Sequence, residues 1–291
     1  MLAPIDKIRR RGNDIIQIVI TTACDRNCSN CTQLLPFRTD YRFMSIDCFR
    51  AAVESLRDWP GVVALFGGNP CVHPKFPEFC RILAEIIPPA QRGLWTNNLF
   101  KHGAVAAETF GRGRLNLNAH GNAEAAAGIE QWFPGQLIAG SDRQASWHST
   151  ILANYRDLGI SEQEWVAKRE RCDINQKWSA AIVERDGKPF AYFCEVAAAI
   201  DGIRGENSGV PAIPGWWQQR MPAFDSQVRN CCDRGCGVPL KLRGHLDCDD
   251  TYDLSPSWAS IYKGQNVNTE ILKSHPETCT DAADYLRRWT E

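Results

Sequence analysis

The chain has 291 residues, enough for one large α/β domain with a smaller appendage. Its 33 Lys and Arg nearly balance 34 Asp and Glu, and no long basic run stands out, so electrostatics alone give no reason to expect a nucleic-acid or membrane partner. The opening MLAPIDKIRRRGND is basic without a following apolar stretch, and no apolar run approaches the ~18 residues that span a bilayer; a soluble, cytoplasmic protein with no membrane partner is expected.

Asp14 to Ile20 is a β-branched run that reads as a buried strand, followed at once by Cys24, Cys28 and Cys31 in a polar loop. Ser45 reads as the N-cap of a helix reaching Trp59, and Pro60-Gly61 end it. A strand over 61–66 closes on Gly67-Gly68-Asn69-Pro70. A helix over 76–87 stops at Pro88-Pro89, and a strand over 93–96 runs into Asn97-Asn98. Residues 115–118 predict a fourth strand, 123–133 a helix and 136–139 a fifth strand. This alternation predicts an α/β fold, a parallel sheet covered by helices in an open or partial barrel, with ligand residues on the loops after the strands.

Residues 155–171 read as helical and charged. Trp178 to Glu184 and Pro189 to Cys194, around Asp186-Gly187, predict a β-hairpin. Residues 202–225 hold Pro211, Pro214 and Pro222 and predict no regular element; with Trp216-Trp217 they are expected to form a lid over the barrel mouth. A helical tail interrupted at Pro276 closes the chain. The expected regions are a core over 1–171, a cysteine-rich extension over 172–250 and the tail over 251–291.

Thirteen cysteines, odd in number and clustered, argue against a pure disulfide framework and for metal binding or thiol chemistry. The first group has the spacing C-x3-C-x2-C. Thiolates suit iron–sulfur clusters and zinc. A closed zinc site would need a fourth ligand from elsewhere. A short loop can also give three thiolates to a cubane and leave one iron open to a substrate or cofactor.

The triplet after a first strand, with Gly67-Gly68-Asn69-Pro70 after the second, resembles the radical SAM superfamily over residues 14 to 145. That resemblance implies a partial (β/α)6 barrel of radical SAM type and a [4Fe–4S] cluster held by Cys24, Cys28 and Cys31. It implies S-adenosyl-L-methionine (SAM) on the fourth iron, through its amino and carboxylate groups. Reductive cleavage of SAM would yield a 5′-deoxyadenosyl radical that abstracts hydrogen from the substrate, with an electron donor such as flavodoxin or ferredoxin. SAM contacts are implied at Gly67, Gly68, Asn69 and Pro70, and at the strand ends carrying Asn97-Asn98, Asn116, Asn118 and His120, with Asn118 on the ribose. Gly140-Ser141 would approach the adenine. Two positions depart from the family pattern: Asn30 stands where an aromatic residue is usual, and Asn69 where many relatives have Glu, so residue 69 supplies no negative charge.

Cys194 ends the hairpin, and Cys231, Cys232 and Cys236 follow in a dense group ending at Pro239. This resembles the single-cluster form of the SPASM extension, the twitch domain, and implies one auxiliary cluster at most. Its expected ligands are Cys194, Cys231, Cys232 and Cys236, with Cys172 as a substitute for either adjacent cysteine; zinc and plain thiols stay open. Cys48, Cys71, Cys80, Cys248 and Cys279 read as small apolar residues, with Cys71 placed to face the cavity. His73, near the glycine turn, is a catalytic candidate.

For the substrate, a small molecule or nucleotide fits the balanced charge. A peptide is an alternative. So is a nucleobase in nucleic acid, such as an amino-acid-like group on a modified thymine, with Trp216-Trp217 stacking a base and Arg9, Arg10 and Arg11 on phosphates. A non-catalytic iron–sulfur or zinc protein is the reading from a different class, and the glycine turn disfavours it.

Overall fold

The structure is a computed structural model and describes residues 15–38, 42–143, 147–172, 180–218, 224–246, 252–262 and 267–268. Arg9 to Arg11, Cys248, Cys279 and the expected tail helix lie outside these residues.

Strand β1 (Ile15–Thr21) buries all seven of its residues, as its β-branched run predicts for a strand covered on both faces. Helix α1 (Ile46–Glu54) starts at Ser45, whose Oγ accepts from the Cys48 backbone N–H at 3.3 Å. Then come β2 (Val62–Gly67), α2 (Phe76–Ile86), β3 (Arg92–Thr96), α3 (Gly103–Phe110), β4 (Arg114–Leu117) and α4 (Ala123–Trp132). The four strands pair in parallel in the order β4-β3-β2-β1. Alternation along β1 divides its side chains. Ile16, Ile18 and Ile20 join the core that holds Phe49, Phe76 and Phe79 of the helices. Ile15, Gln17 and Val19 face the other way.

After β5 (Trp147–Ser149) and α5 (Glu162–Glu170) comes the hairpin, β6 (Ala180–Arg185) and β7 (Lys188–Tyr192). Its turn residues Asp186 and Gly187 have φ of 49° and 73°, which favours the Asp-Gly pair. β6 adds in parallel to the free edge of β1; β7 and then β8 (Val210–Pro211) add antiparallel. The result is an open, mostly parallel seven-stranded sheet, β4-β3-β2-β1-β6-β7-β8. The sixfold βα count is therefore not reached among the described residues. The fifth strand expected at 136–139 is reduced to one bridge, Leu117 to Leu137, because the chain turns away at Gly140.

Helix α6 (Glu195–Arg204) opens on Cys194. Later come β9 (Arg243–Leu246), β10 (Tyr252–Asp253) and α7 (Pro256–Ile261). Of the segment expected as a lid, residues 219–223 lie outside the described residues, and Trp217 sits away from the C-terminal ends of the strands. Trp217 packs edge-on against Trp59 at 5.0 Å, and Trp59 precedes β2, at the N-terminal ends of the parallel strands. Trp216 is buried against Phe224. Neither ring is a free stacking platform. Among the described residues no helix is long and apolar enough to cross a membrane.

Candidate functional site

Where β1 ends, Thr21 Oγ1 accepts from the Ala23 N–H at 2.9 Å and turns the chain out of the sheet. The loop then presents Cys24, Cys28 and Cys31, all half-buried and all reduced. Gly67 and Gly68 clamp this loop. The Gly68 and Asn69 N–H groups donate to the carbonyls of Thr21 and Ala23, each at 2.9 Å. A Cβ on Gly67, whose φ is +149°, would lie 2.2 Å from Thr21 O, and one on Gly68 2.2 Å from Ala23 O. The glycines are thus required for backbone to meet backbone, a use the sequence reading had assigned to the cofactor alone.

Asn69 is fully engaged. Its Oδ1 accepts from Cys71 N–H at 3.0 Å and Thr96 Oγ1 at 2.7 Å. Its Nδ2 donates to Asn98 O and to Asp25 Oδ1, both at 3.0 Å. Asn97 Nδ2 donates to the same Asp25 oxygen at 3.1 Å. The ends of β1, β2 and β3 therefore converge on one carboxylate that the sequence reading missed; its only signal was an acid beside Cys24. Asn118 ends β4 next door, its N–H on Thr96 O at 3.2 Å and its Oδ1 taking the His120 N–H at 3.0 Å. Ser141 Oγ accepts from Ala119 N–H at 3.3 Å, which brings Gly140-Ser141 to the same edge. Asn116 lies within β4 and Pro70 is buried in the turn after β2.

Two candidates are corrected. The His73 ring is buried, with Nε2 on Met44 O at 3.2 Å and Nδ1 taking the Lys75 N–H at 3.0 Å. Both nitrogens serve the backbone, and burial lowers its pKa to about 4, so the ring is structural. Cys71 packs in the main core beside Thr96 instead of facing a cavity.

The donor chemistry of the first loop fits a cluster. Burial pushes the Cys24 thiol up to about 12, so a metal must replace its proton for it to act as a ligand. Among the described residues no three His, Cys, Asp or Glu side chains are drawn in to the spacing of a single ion.

The second group converges too. Cys172, Cys194, Cys231, Cys232 and Cys236 line one small pocket, walled by apolar side chains and Arg169. Burial raises Cys194, Cys232 and Cys236 well above the usual thiol range, and charge on neighbouring cysteines raises them further. The Cys231 Sγ donates to Ala197 O at 3.5 Å. Cys194 sits at the N-terminus of α6, where the helix dipole favours a thiolate. Cys231-Cys232 lie on a π-helical stretch, Val228–Cys232.

A short segment joins the two groups. Asn30, left-handed at φ 54°, donates to Asp253 Oδ2 at 2.7 Å, and Asn27 donates to Tyr252 Oη at 2.7 Å. Leu254 bridges Leu152, which bridges Cys236.

Fold and site together define an open α/β sheet with a cysteine triplet at the C-terminal ends of its parallel strands and a second cysteine pocket beside it. No protein-family model matches the chain, and no curated protein does. Among solved structures it is similar to BtrN in complex with AdoMet and 2-DOIA, at 16% identity and a TM-score of 0.48, over 77% of this chain and 89% of that one. A structure of BtrN in an open conformation aligns at 13% identity and a TM-score of 0.37, over 64% and 71%.

Proposed function

We propose that this protein is a radical SAM enzyme acting on a small molecule or nucleotide. The observation that carries the reading is the clamp of Gly67 and Gly68 on Thr21 and Ala23, which seats the start of the Cys24–Cys31 loop where the ends of β1 and β2 meet. When bound, a [4Fe–4S] cluster and SAM supply reductive carbon–sulfur cleavage and, through it, hydrogen abstraction. Cys24, Cys28 and Cys31 hold the cluster. Asn97 and Asn118 offer amide contacts to SAM, while Gly67, Gly68 and Asn69 hold the cysteine loop beside it. A cytoplasmic setting with a flavodoxin- or ferredoxin-like electron donor completes the scheme. A nucleobase within nucleic acid loses its proposed stacking pair, since Trp216 is buried against Phe224 and Trp217 packs on Trp59.

The second pocket is proposed to hold one auxiliary cluster through Cys172, Cys194, Cys232 and Cys236, Cys172 taking the place first given to Cys231. Cys231 is set aside because its Sγ donates to Ala197 O at 3.5 Å.

The test is anaerobic reconstitution with iron counting and assay of 5′-deoxyadenosine. Cys28→Ala is expected to lose about half of the bound iron and all SAM cleavage. Cys172→Ala should lose the other half, while Cys231→Ala keeps the wild-type content. SAM cleavage by Cys28→Ala at the wild-type rate would contradict the proposal.

A further inference from the structure

We propose that Asp25 is the anionic partner of the amino group of SAM, filling from the cysteine loop the charge that residue 69 lacks. The inference rests on the radical SAM reading above. Asp25 lies beside Cys24, yet its carboxylate is held by side chains from two other strand ends, Asn69 Nδ2 at 3.0 Å and Asn97 Nδ2 at 3.1 Å. The Cys24 thiol also points at that oxygen, at 3.8 Å. All three donors fall on Oδ1, which leaves Oδ2 open among the described residues. All are neutral groups, and Asp25 is solvent-exposed with no basic side chain paired to it among the described residues. Amide donors orient a carboxylate without cancelling its charge. The result is an oriented carboxylate with no basic partner among the described residues, adjoining the Cys24 thiol. That is the complement of a ligand with an amino-acid head and a sulfonium.

The alternative donor of charge is excluded by position. Asn69 spends its oxygen on Cys71 N–H and Thr96 Oγ1 and turns its nitrogen toward Asp25. A carboxylate at residue 69 would stand about one hydrogen-bond length from that of Asp25, a like-charge contact. Asn69 and Asp25 therefore form a matched pair: one position carries the charge and the other orients it. Asn97 adds the second orienting donor, so Asp25 is a binding residue and the two asparagines are positioning residues.

The experiment is equilibrium dialysis of SAM against the anaerobically reconstituted protein, with iron content and the electron paramagnetic resonance (EPR) spectrum of the reduced cluster without SAM recorded alongside. Asp25→Asn keeps the side chain's shape and should bind SAM about tenfold or more weakly, as loss of a hydrogen bond to a charged acceptor predicts. Its iron content and SAM-free spectrum should match wild type. The double variant Asp25→Asn with Asn69→Glu, which returns one charge to the same spot, should bind SAM more tightly than Asp25→Asn alone. Unchanged affinity in Asp25→Asn would overturn the inference. So would lost affinity accompanied by lost iron, which would make Asp25 a structural part of the cysteine loop, or a double variant no tighter than the single one. If the iron-loaded wild-type protein binds no SAM, the underlying function fails instead, and that result is distinct from the others.

Discussion

Gln17 sits in the middle of β1, fully buried, and both polar atoms of its amide lack a partner among the described residues. Its register neighbours are Ala64 and Ala181, so small side chains flank it on the face opposite the main core. An orphaned buried amide costs about 1–3 kcal/mol. Gln17→Leu, close in volume, is therefore expected to raise the unfolding free energy by about that amount in urea titrations; a drop would show that the amide has a partner. His73 gives a pH prediction. Its pKa is about 4 in the folded protein against an ordinary 6.5, so between these values the unfolded chain takes a proton that the folded protein refuses. Stability should fall with falling pH across that window, by about 3 kcal/mol at most. His73→Gln should flatten that part of the profile; an equally steep profile in the variant would place the titration elsewhere. Neither role was legible in the sequence: a Gln inside DIIQIVI and a His after a turn reveal nothing of what surrounds them. The three thiols were legible, because a short loop sets their spacing locally.

At the scale of elements, the junction between the β1 loop and the β2 turn holds the site together. Gly68→Ala would force a Cβ to within 2.2 Å of Ala23 O. The expected result is displacement of the cysteine loop, read as lower iron content at the triplet and normal content at the second pocket. Retention of full iron would show that the clamp can yield. β10 acts on the same loop from the opposite side. Asp253 is buried and holds Asn30 in its left-handed conformation. Asp253→Ala should speed removal of iron from the triplet by a chelator, because a left-handed Asn without its anchor relaxes readily. An unchanged rate would mean that β10 merely covers the loop. The contact joins residues 223 positions apart, so no local pattern predicts it. The first four strands and the hairpin were readable because each is a run of β formers bounded by Gly, Pro or Asn-type breakers. The fifth was not, because the three-residue apolar run Leu137 to Ala139 is as compatible with a single bridge as with a strand.

At the scale of the molecule, the hairpin after residue 180 extends the sheet past β1 and carries Cys194 to the start of α6. That placement lets Cys172, Cys232 and Cys236 close around one cavity beside the core. The grouping of these cysteines was expected from resemblance, while the turn of the Cys231 thiol to Ala197 is visible only in three dimensions. The segment from Tyr252 to Ser255 then ties the second pocket to the first loop through Asp253 and Leu254. The account as a whole depends on an iron at the triplet with a coordination position free for SAM. The most direct test is the EPR spectrum of the dithionite-reduced Cys172→Ala protein, which should carry the triplet's cluster alone, recorded before and after adding SAM. A change in g-values on addition is predicted. A spectrum indifferent to SAM, or no iron at Cys24, Cys28 and Cys31, would contradict it.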